Sequence, residues 1–406
     1  MTEILLVEQP DGSTGASARA LASLGNGYVV TRIEGVRPAL ERLAQRRPHV
    51  LIATVGTEAA AAECAWLFER AVVAAPATVR LALLSAAGAT GALPRDVAFA
   101  HQCLPMPVPS TGKDAVQTPT ALATAVGAAA EVAQALRTTP ALQHLLCGLE
   151  ALPSPPALYF DIREQLEGHA GTTAGMSAIA GRDPALVARV LRLANSGFFG
   201  LPRNVPDIAS AIALIGGDAL LALVLSTHLY DGLPPPGVNL DLLWRHAVDV
   251  SASAREVARA LGGTRAQQAS AATSGLLHDI GLLVLLRNEP ARYQPLWRRS
   301  AGDERALVQL ERETFGVSHD ELGAAVLTLW MLPRDVIAAV RQSHGVRVPP
   351  LDALVCRAVQ AAEWLQHDDR GHDESLAPAG LVEIAAHVQG GWQAVRAAAR
   401  GSAQPR

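Results

Sequence analysis

Apolar residues in the first 137 positions come in short runs separated by segments with helical spacing. Ile4–Val7, Tyr28–Ile33, Val50–Val55 and Val79–Ser85 are short and largely apolar, the pattern of strands buried on both faces. Phe99–Leu104 is a weaker run of the same kind. Between them Gly15–Leu24, Arg37–Gln45 and Glu58–Ala74 read as helices. Ala121–Arg137 reads as another, after a Pro/Ser/Thr segment over Pro105–Pro119. Pro38 sits near the start of its helix, where a fixed φ and a missing N–H are tolerated. Strands alternating with helices predict a parallel sheet covered by helices on both faces.

Beyond Thr138-Thr139-Pro140 the pattern changes, and no convincing strand follows. Leu142–Leu149, Ala157–Glu167, Thr173–Ala180, Ala185–Leu193, Ile208–Ile215 and Ala219–Leu229 read as helices, with others after Leu240. Pro153, Pro155-Pro156, Pro202, Pro206 and Pro234-Pro235-Pro236 punctuate them. Asp183-Pro184 has the form of a helix start, with the acid as cap and the proline in the first turn. The expected organisation is therefore two domains: an α/β unit over 1–137 and an all-α helical bundle over 138–406.

Composition narrows the function classes. The 406 residues suffice for two domains with real cores. Thirty-four cations against 38 acids give a net charge of −4, without the basic excess of a dedicated nucleic-acid binder. Lys113 is the single lysine among those cations. This is the signature of a GC-rich coding bias, so arginine enrichment carries no message about phosphate recognition. The most apolar stretches, Ala219–Ser226 and Gly281–Leu286, fall short of the ~20 residues of a membrane span. The start Met1-Thr2-Glu3-Ile4 lacks the basic region of a signal peptide. Cys64, Cys103, Cys147 and Cys356 are far apart and form no CxxC, which fits a reducing cytoplasm.

Glu8-Gln9 follows the first predicted strand and Thr54 stands near the end of the third. Ser85 ends the fourth, and Met106-Pro107 follows the fifth. The order of elements resembles a response-regulator receiver domain, a flavodoxin-like α/β fold. That resemblance implies an acid pair for Mg²⁺, a phosphoaccepting aspartate, a Ser/Thr and a Lys-Pro. Here only Glu8 stands for the acid pair, although Asp11 lies close by. Thr54 replaces the phosphoacceptor and Met106 the lysine. One carboxylate and no acyl-phosphate acceptor predict a degenerate receiver used for protein contact rather than phosphotransfer.

The second half carries a series of histidines. His246 lies in Trp244-Arg245-His246-Ala247-Val248 and His278-Asp279 in Gly275-Leu276-Leu277-His278-Asp279-Ile280-Gly281. His319 lies in Ser318-His319-Asp320-Glu321, and His344 in Gln342-Ser343-His344-Gly345. Imidazoles and a carboxylate from several helices suit a transition-metal ion held in a bundle. The Gly-Leu-Leu-His-Asp-Ile-Gly heptapeptide resembles the signature of the HD superfamily of metal-dependent phosphohydrolases. Several further segments resemble the HDOD (HD-related output domain) family of bacterial signalling proteins. They are Leu152-Pro153, the run from Asp183 to Ser196 with Arg189 and Asn195, Ala211–Gly216, and Leu329-Trp330-Met331-Leu332-Pro333.

That resemblance implies an all-α HD-type bundle, usually joined to receiver or cyclic-dinucleotide modules and generally non-catalytic. His246, His278, Asp279, His319 and His344 match HD-type metal-ligand positions, for an ion such as Fe, Mn, Ni or Zn. HD hydrolases close the site with a later aspartate. Its place here falls on Val359 or Gln360, so the ligand set reads as incomplete. The absence of a Gly-Tyr-Pro loop argues against the cyclic-di-GMP phosphodiesterase branch. The bland reading is that His246 and His278 are interior histidines with satisfied hydrogen bonds. Trp330 and Trp364 read most simply as core.

The first expectation is a non-catalytic bacterial signal-transduction protein, cytoplasmic, that acts through protein partners and a homodimer. Neither a membrane nor nucleic acid is an expected partner. The alternatives are a metal-dependent phosphohydrolase acting on a nucleotide or phosphoester, or a module that binds a nucleotide second messenger without turnover.

Overall fold

The computed structural model describes residues 1–8, 16–22, 24, 27–84, 100–105, 117–148, 157–167, 172–194, 205–230, 237–330, 332–345, 350 and 353–367. The chain divides into two compact units, residues 1–155 with 325–332, and residues 156–324 with 333–406. Gln9, Asp11, Ser85, Met106, Lys113, Leu152-Pro153, Asn195-Ser196 and Met331 lie outside the described residues.

The first unit is built on five strands: β1 (Thr2–Glu8), β2 (Tyr28–Glu34), β3 (Val50–Val55), β4 (Val79–Leu84) and β5 (Gln102–Pro105). The described helices are α1 (Ala16–Ala22), α2 (Val36–Gln45), α3 (Glu58–Ala74), α4 (Gln117–Thr138) and α5 (Pro140–Gly148). All four strand pairings are parallel, in the order β2-β1-β3-β4-β5. Every residue of β3 is buried, as a central strand sandwiched between helical layers requires. Leu5, Val7, Leu51 and Val55 meet Leu43 of α2 and Leu67 and Phe68 of α3 in one apolar cluster. Thr57 caps α3 by accepting from the Ala60 N–H at 3.2 Å.

Two of the positions that the sequence resemblance singled out, Glu8 and Thr54, are buried. Glu8 is buried at the end of β1 and forms an ion pair with Arg32 of β2. Thr54 is buried in β3, paired in register with Leu83 of β4.

The remaining helices are α6 (Ala157–Glu167), α7 (Thr173–Ala180), α8 (Pro184–Ala194), α9 (Ile208–Ile215), α10 (Gly217–Tyr230), α11 (Leu240–Ala260) and α12 (Arg265–Leu277). They continue with α13 (Ile280–Asn288), α14 (Pro290–Ser300), α15 (Glu304–Phe315), α16 (His319–Leu329), α17 (Arg334–Arg341) and α18 (Leu354–His367). No strand lies among the described residues beyond Pro105. Asp183 accepts from the Leu186 N–H at 3.2 Å, so it caps α8 as its sequence context predicts.

The second unit is organised on α11, α12 and α18. Val250, Ala254 and Val257 of α11, Ala271 of α12 and Val355, Val359 and Ala362 of α18 form a buried cluster. Small residues bring α11 and α12 together. A Cβ on Gly275 would lie 2.8 Å from the Ser251 backbone, and the Ser251 hydroxyl donates to the Ala272 carbonyl at 2.7 Å.

One expectation about apolar stretches needs correction. The run Arg265–Asn288 is 24 residues long and apolar enough for a membrane span, which the shorter windows of the sequence reading missed. It is α12 and α13 in succession, and 89% of its apolar window is buried inside the protein.

Candidate metal centre

The five residues that the sequence singled out meet in one place. His246 sits on the second turn of α11, whose start is fixed by Asn239 accepting from the N–H groups of Asp241 and Leu242. The close packing of α11 on α12 brings its ring to His278, with 3.1 Å between the two Nε2 atoms. His278 ends α12. Its Nδ1 lies 2.7 Å from the Gly275 carbonyl, which can only accept, so Nδ1 carries the proton and Nε2 faces the cluster.

Asp279 stands at the N-cap of α13 and makes no capping hydrogen bond. An aspartate there ordinarily accepts from the first turn of its helix. This carboxylate is turned to the histidines instead. Oδ2 is 3.3 Å from His278 Nε2 and 3.9 Å from His246 Nε2. Oδ1 is 3.4 Å from His319 Nε2 and 3.5 Å from His344 Nε2.

His319 opens α16, and a backbone contact that only glycine permits holds it there. A Cβ on Gly281 of α13 would fall 1.9 Å from the His319 carbonyl oxygen and 2.7 Å from the Gly323 nitrogen. His344 lies in the turn after α17. The Gln360 amide of α18 ties that turn down by donating to the carbonyls of Gln342 (2.7 Å) and Gly345 (3.2 Å).

The structure also supplies what the sequence reading found missing. Val359 is fully buried in the apolar cluster, and Gln360 holds the His344 turn. The closing carboxylate is Glu363, one helical turn beyond Val359, with Oε2 3.1 Å from His278 Nε2 and 3.3 Å from His246 Nε2. A second acid, Glu304, comes from the start of α15, where Asp303 caps the helix. Its Oε2 lies 3.2 Å from His344 Nδ1 and its Oε1 3.7 Å from His246 Nε2. Neither acid lies in a recognisable motif. The available signal for Glu363 was its place about one turn along the same helix from Val359 and Gln360.

The electrostatics are those of a proton-sharing cluster. Burial disfavours charge on His278, but Asp279 and Glu363 more than offset this and hold its pKa well above the usual histidine range. For His344, burial is opposed by the Asp279 and Glu304 carboxylates beside its ring, and its pKa is pushed up to about 9. Burial likewise opposes charge on Asp279. The charged His278, with the other imidazoles, overrides it and holds the carboxyl well below its ordinary value. The side chains of His278, Asp279, His319, His344 and Glu363 are almost wholly buried. His246 (19% exposed) and Glu304 (22%) form the rim that meets solvent.

The donor set fits a metal ion. His246, His278 and Asp279 form one group whose ligand atoms all lie within 4.8 Å of one another. Asp279, His319 and His344 form a second such group, and His246, Glu304 and Glu363 a third. Two donors on one ion at ~2.0–2.3 Å are at most about 4.6 Å apart, so small adjustments close each group on an ion. The buried Nε2 atoms of His319 and His344 make no hydrogen bond, which leaves an acceptor lone pair on each once neutral. Three of the four rings are backed at Nδ1, His278 by a carbonyl, His319 by Glu311 and His344 by Glu304, the usual support for a ligating imidazole.

Comparison with known proteins accords with this geometry. Residues 152–346 match the HDOD domain family. This part of the chain is an HDOD domain. A protein of unassigned character from Treponema pallidum (strain Nichols) is 27% identical over 214 residues. The match takes in 53% of this chain and 42% of that relative, so the chain spans less than half of the relative's length. The crystal structure of an HDOD domain protein of unknown function from Geobacter sulfurreducens superposes with a TM-score of 0.50 at 22% identity. It covers 66% of this chain and 91% of that one, a likeness of fold. All seven residues of the cluster except Glu363 fall inside the matched HDOD segment, and His344 lies two residues from its end.

Proposed function

We propose that this chain is a cytoplasmic signal-transduction output protein whose HDOD domain holds a divalent transition-metal ion. The observation that carries the reading is the convergence of His246, His278, Asp279, Glu304, His319, His344 and Glu363, with the buried Nε2 atoms of His319 and His344 left without hydrogen bonds. Mixed imidazole and carboxylate donors without thiolate suit Fe, Mn, Ni or Zn. When bound, such an ion supplies Lewis acidity and a large local positive charge. The protein's own part is to orient the donors. Gly281 seats His319, Gln360 seats the His344 turn, and Gly275 sets the distance between His246 and His278.

The N-terminal unit supports the signalling part of the reading. Its strand order 2-1-3-4-5 is that of the flavodoxin-like doubly wound class, to which receivers belong. Glu8 is taken up by Arg32, and Thr54 stands in place of a phosphoacceptor. Such a unit works by protein contact, with other signalling proteins or a second copy as partner. Cys64 and Cys356 are buried and not joined in a disulfide, consistent with a reducing compartment. Metal analysis of protein purified without added metal tests the reading. About one equivalent or more of a transition metal is expected, and less than about a tenth, with none taken up on reconstitution, refutes it.

The completed carboxylate set favours a second reading, metal-dependent phosphoester hydrolysis. Three carboxylates and four neutral imidazoles leave the cluster at −3. One divalent ion leaves it at −1, which repels a phosphoester. Two leave it at +1, which attracts one. Metal stoichiometry therefore separates the readings. Two equivalents with phosphate release from a nucleotide panel favour hydrolysis, and one equivalent without release favours a metal that only structures the output domain.

A further inference from the structure

A carboxylate outside the ligand set stands behind the His319 ring. Glu311 of α15 is fully buried, two helical turns after Glu304 and on the same helix face. Burying an ionised carboxylate costs several kcal/mol unless donors surround it. Glu311 has three. The Tyr293 hydroxyl of α14 donates to Oε1, the His319 backbone N–H donates to Oε2 at 2.8 Å, and the His319 ring Nδ1 donates to the carboxylate at 2.8–2.9 Å. Tyr293 is itself fully buried and stacks on Phe315, with ring centroids 6.3 Å apart.

The arrangement has a direction. A carboxylate accepts only, so the ring proton it binds is on Nδ1, and the lone pair of the neutral imidazole is on Nε2. That Nε2 lies 3.4 Å from Asp279 Oδ1, beside His344, at the heart of the cluster. An apolar side chain at position 311 would pack the same space without the desolvation cost. A merely structural clamp on the start of α16 would need only the backbone N–H contact.

We infer that Glu311, braced by Tyr293, is a positioning residue: it fixes the tautomer and ring orientation of His319 so that Nε2 is presented to a metal ion. This rests on the metal reading above and extends it to two residues outside the ligand set. The test pairs two readouts. In metal-free protein, ring N–H spectra of ¹⁵N-histidine-labelled samples are expected to show a strongly downfield Nδ1–H signal. It should vanish in His319→Gln and move upfield in Glu311→Gln. Cobalt(II) binding, followed by its visible absorption in competition with a chelator, is expected to weaken about 10–100-fold in Glu311→Gln and by a smaller factor in Tyr293→Phe.

A Glu311→Gln protein that binds cobalt as tightly as wild type overturns the inference while the metal reading stands. So does the absence of the His319 Nδ1–H signal from wild type. A wild type that shows the proton signal but takes up no cobalt overturns the metal reading, and the positioning role with it. If Glu311→Gln does not fold, Tyr293→Phe decides: unchanged affinity and an unmoved proton signal overturn the role.

Discussion

Replacing Gly281 by alanine tests how tightly the fold controls the cluster. The added Cβ would sit 1.9 Å from the His319 carbonyl oxygen, where ordinary contact begins near 3.4 Å, a shortfall of about 1.5 Å (3.4 − 1.9). The obstacle is backbone on the neighbouring helix, and Gly323 nitrogen stands 2.7 Å away on the same side, so no rotamer change relieves it. Two effects compete. Alanine in place of glycine in a helix gains up to about 1 kcal/mol. Forcing packed helices apart by more than an ångström costs about 3 kcal/mol, the top of the usual overpacking range, or more. The net expectation is a loss of about 2 kcal/mol or more, or roughly 4–8 °C in melting temperature for a unit of this size. His319 moves with the displaced backbone, so metal affinity falls as well. Gly323→Ala, whose nearest contacts are at 3.1 Å, is the milder control. Chemical denaturation of metal-free protein gives the first number and chelator competition the second. A Gly281→Ala protein within about 0.5 kcal/mol of wild type, with unchanged affinity, refutes the reasoning.

Glu363→Gln removes the acid that touches both His246 and His278. It is expected to weaken metal binding by more than about 100-fold, beyond the range for loss of a supporting group, as chelator competition would show. In metal-free protein, His344 has a pKa of about 9 against ~6.5 in an unfolded chain. Its contribution is complete below about 6.5 and is lost as pH rises through 9. Denaturant titrations from pH 6.5 to 10 should therefore register a decline to which His344 contributes about 3 kcal/mol; the decline is expected to be smaller in His344→Gln, where the raised His278 still titrates. The N-terminal unit should respond to acid instead. His101 is fully buried and accepts from the Arg80 N–H at 2.9 Å; burial first, and Arg80 second, push its pKa well below the ordinary value. The unfolded chain takes up this proton and the folded one refuses it. Stability should fall by about 1.4 kcal/mol per pH unit below ~6.5, and His101→Asn should flatten that slope.

The elements were legible to the extent that local pattern determines them. The apolar runs of β1, β3 and β4 announced a covered parallel sheet, and the Pro/Gly punctuation of the second half announced helices. Of the cluster, the motif residues His246, His278, Asp279, His319 and His344 could be named because HD-like context marks them. Glu363 could not. A helix presents positions 359, 360 and 363 within one turn, and only three-dimensional packing decides which of them faces the cluster. Here Val359 turns into the apolar core and Gln360 to the His344 turn, leaving Glu363 to face inward. Glu304 and Glu311 were hidden for a related reason. Their helix carries several acids, and nothing in the order of residues distinguishes a solvated glutamate from one folded against an imidazole. The length of the buried apolar run Arg265–Asn288 was underestimated because His278 and Asp279 interrupt it, and those two residues are what the run exists to position.

The proposed role of the convergent donors is to hold a transition metal. Elemental analysis of the full chain, purified without chelator or added metal, alongside His278→Gln with Asp279→Asn, tests it most directly. About one to two equivalents of Fe, Mn, Ni or Zn are expected in wild type and less than a tenth in the double variant. Metal-free wild-type protein that also takes up none on reconstitution, while remaining folded, would contradict it.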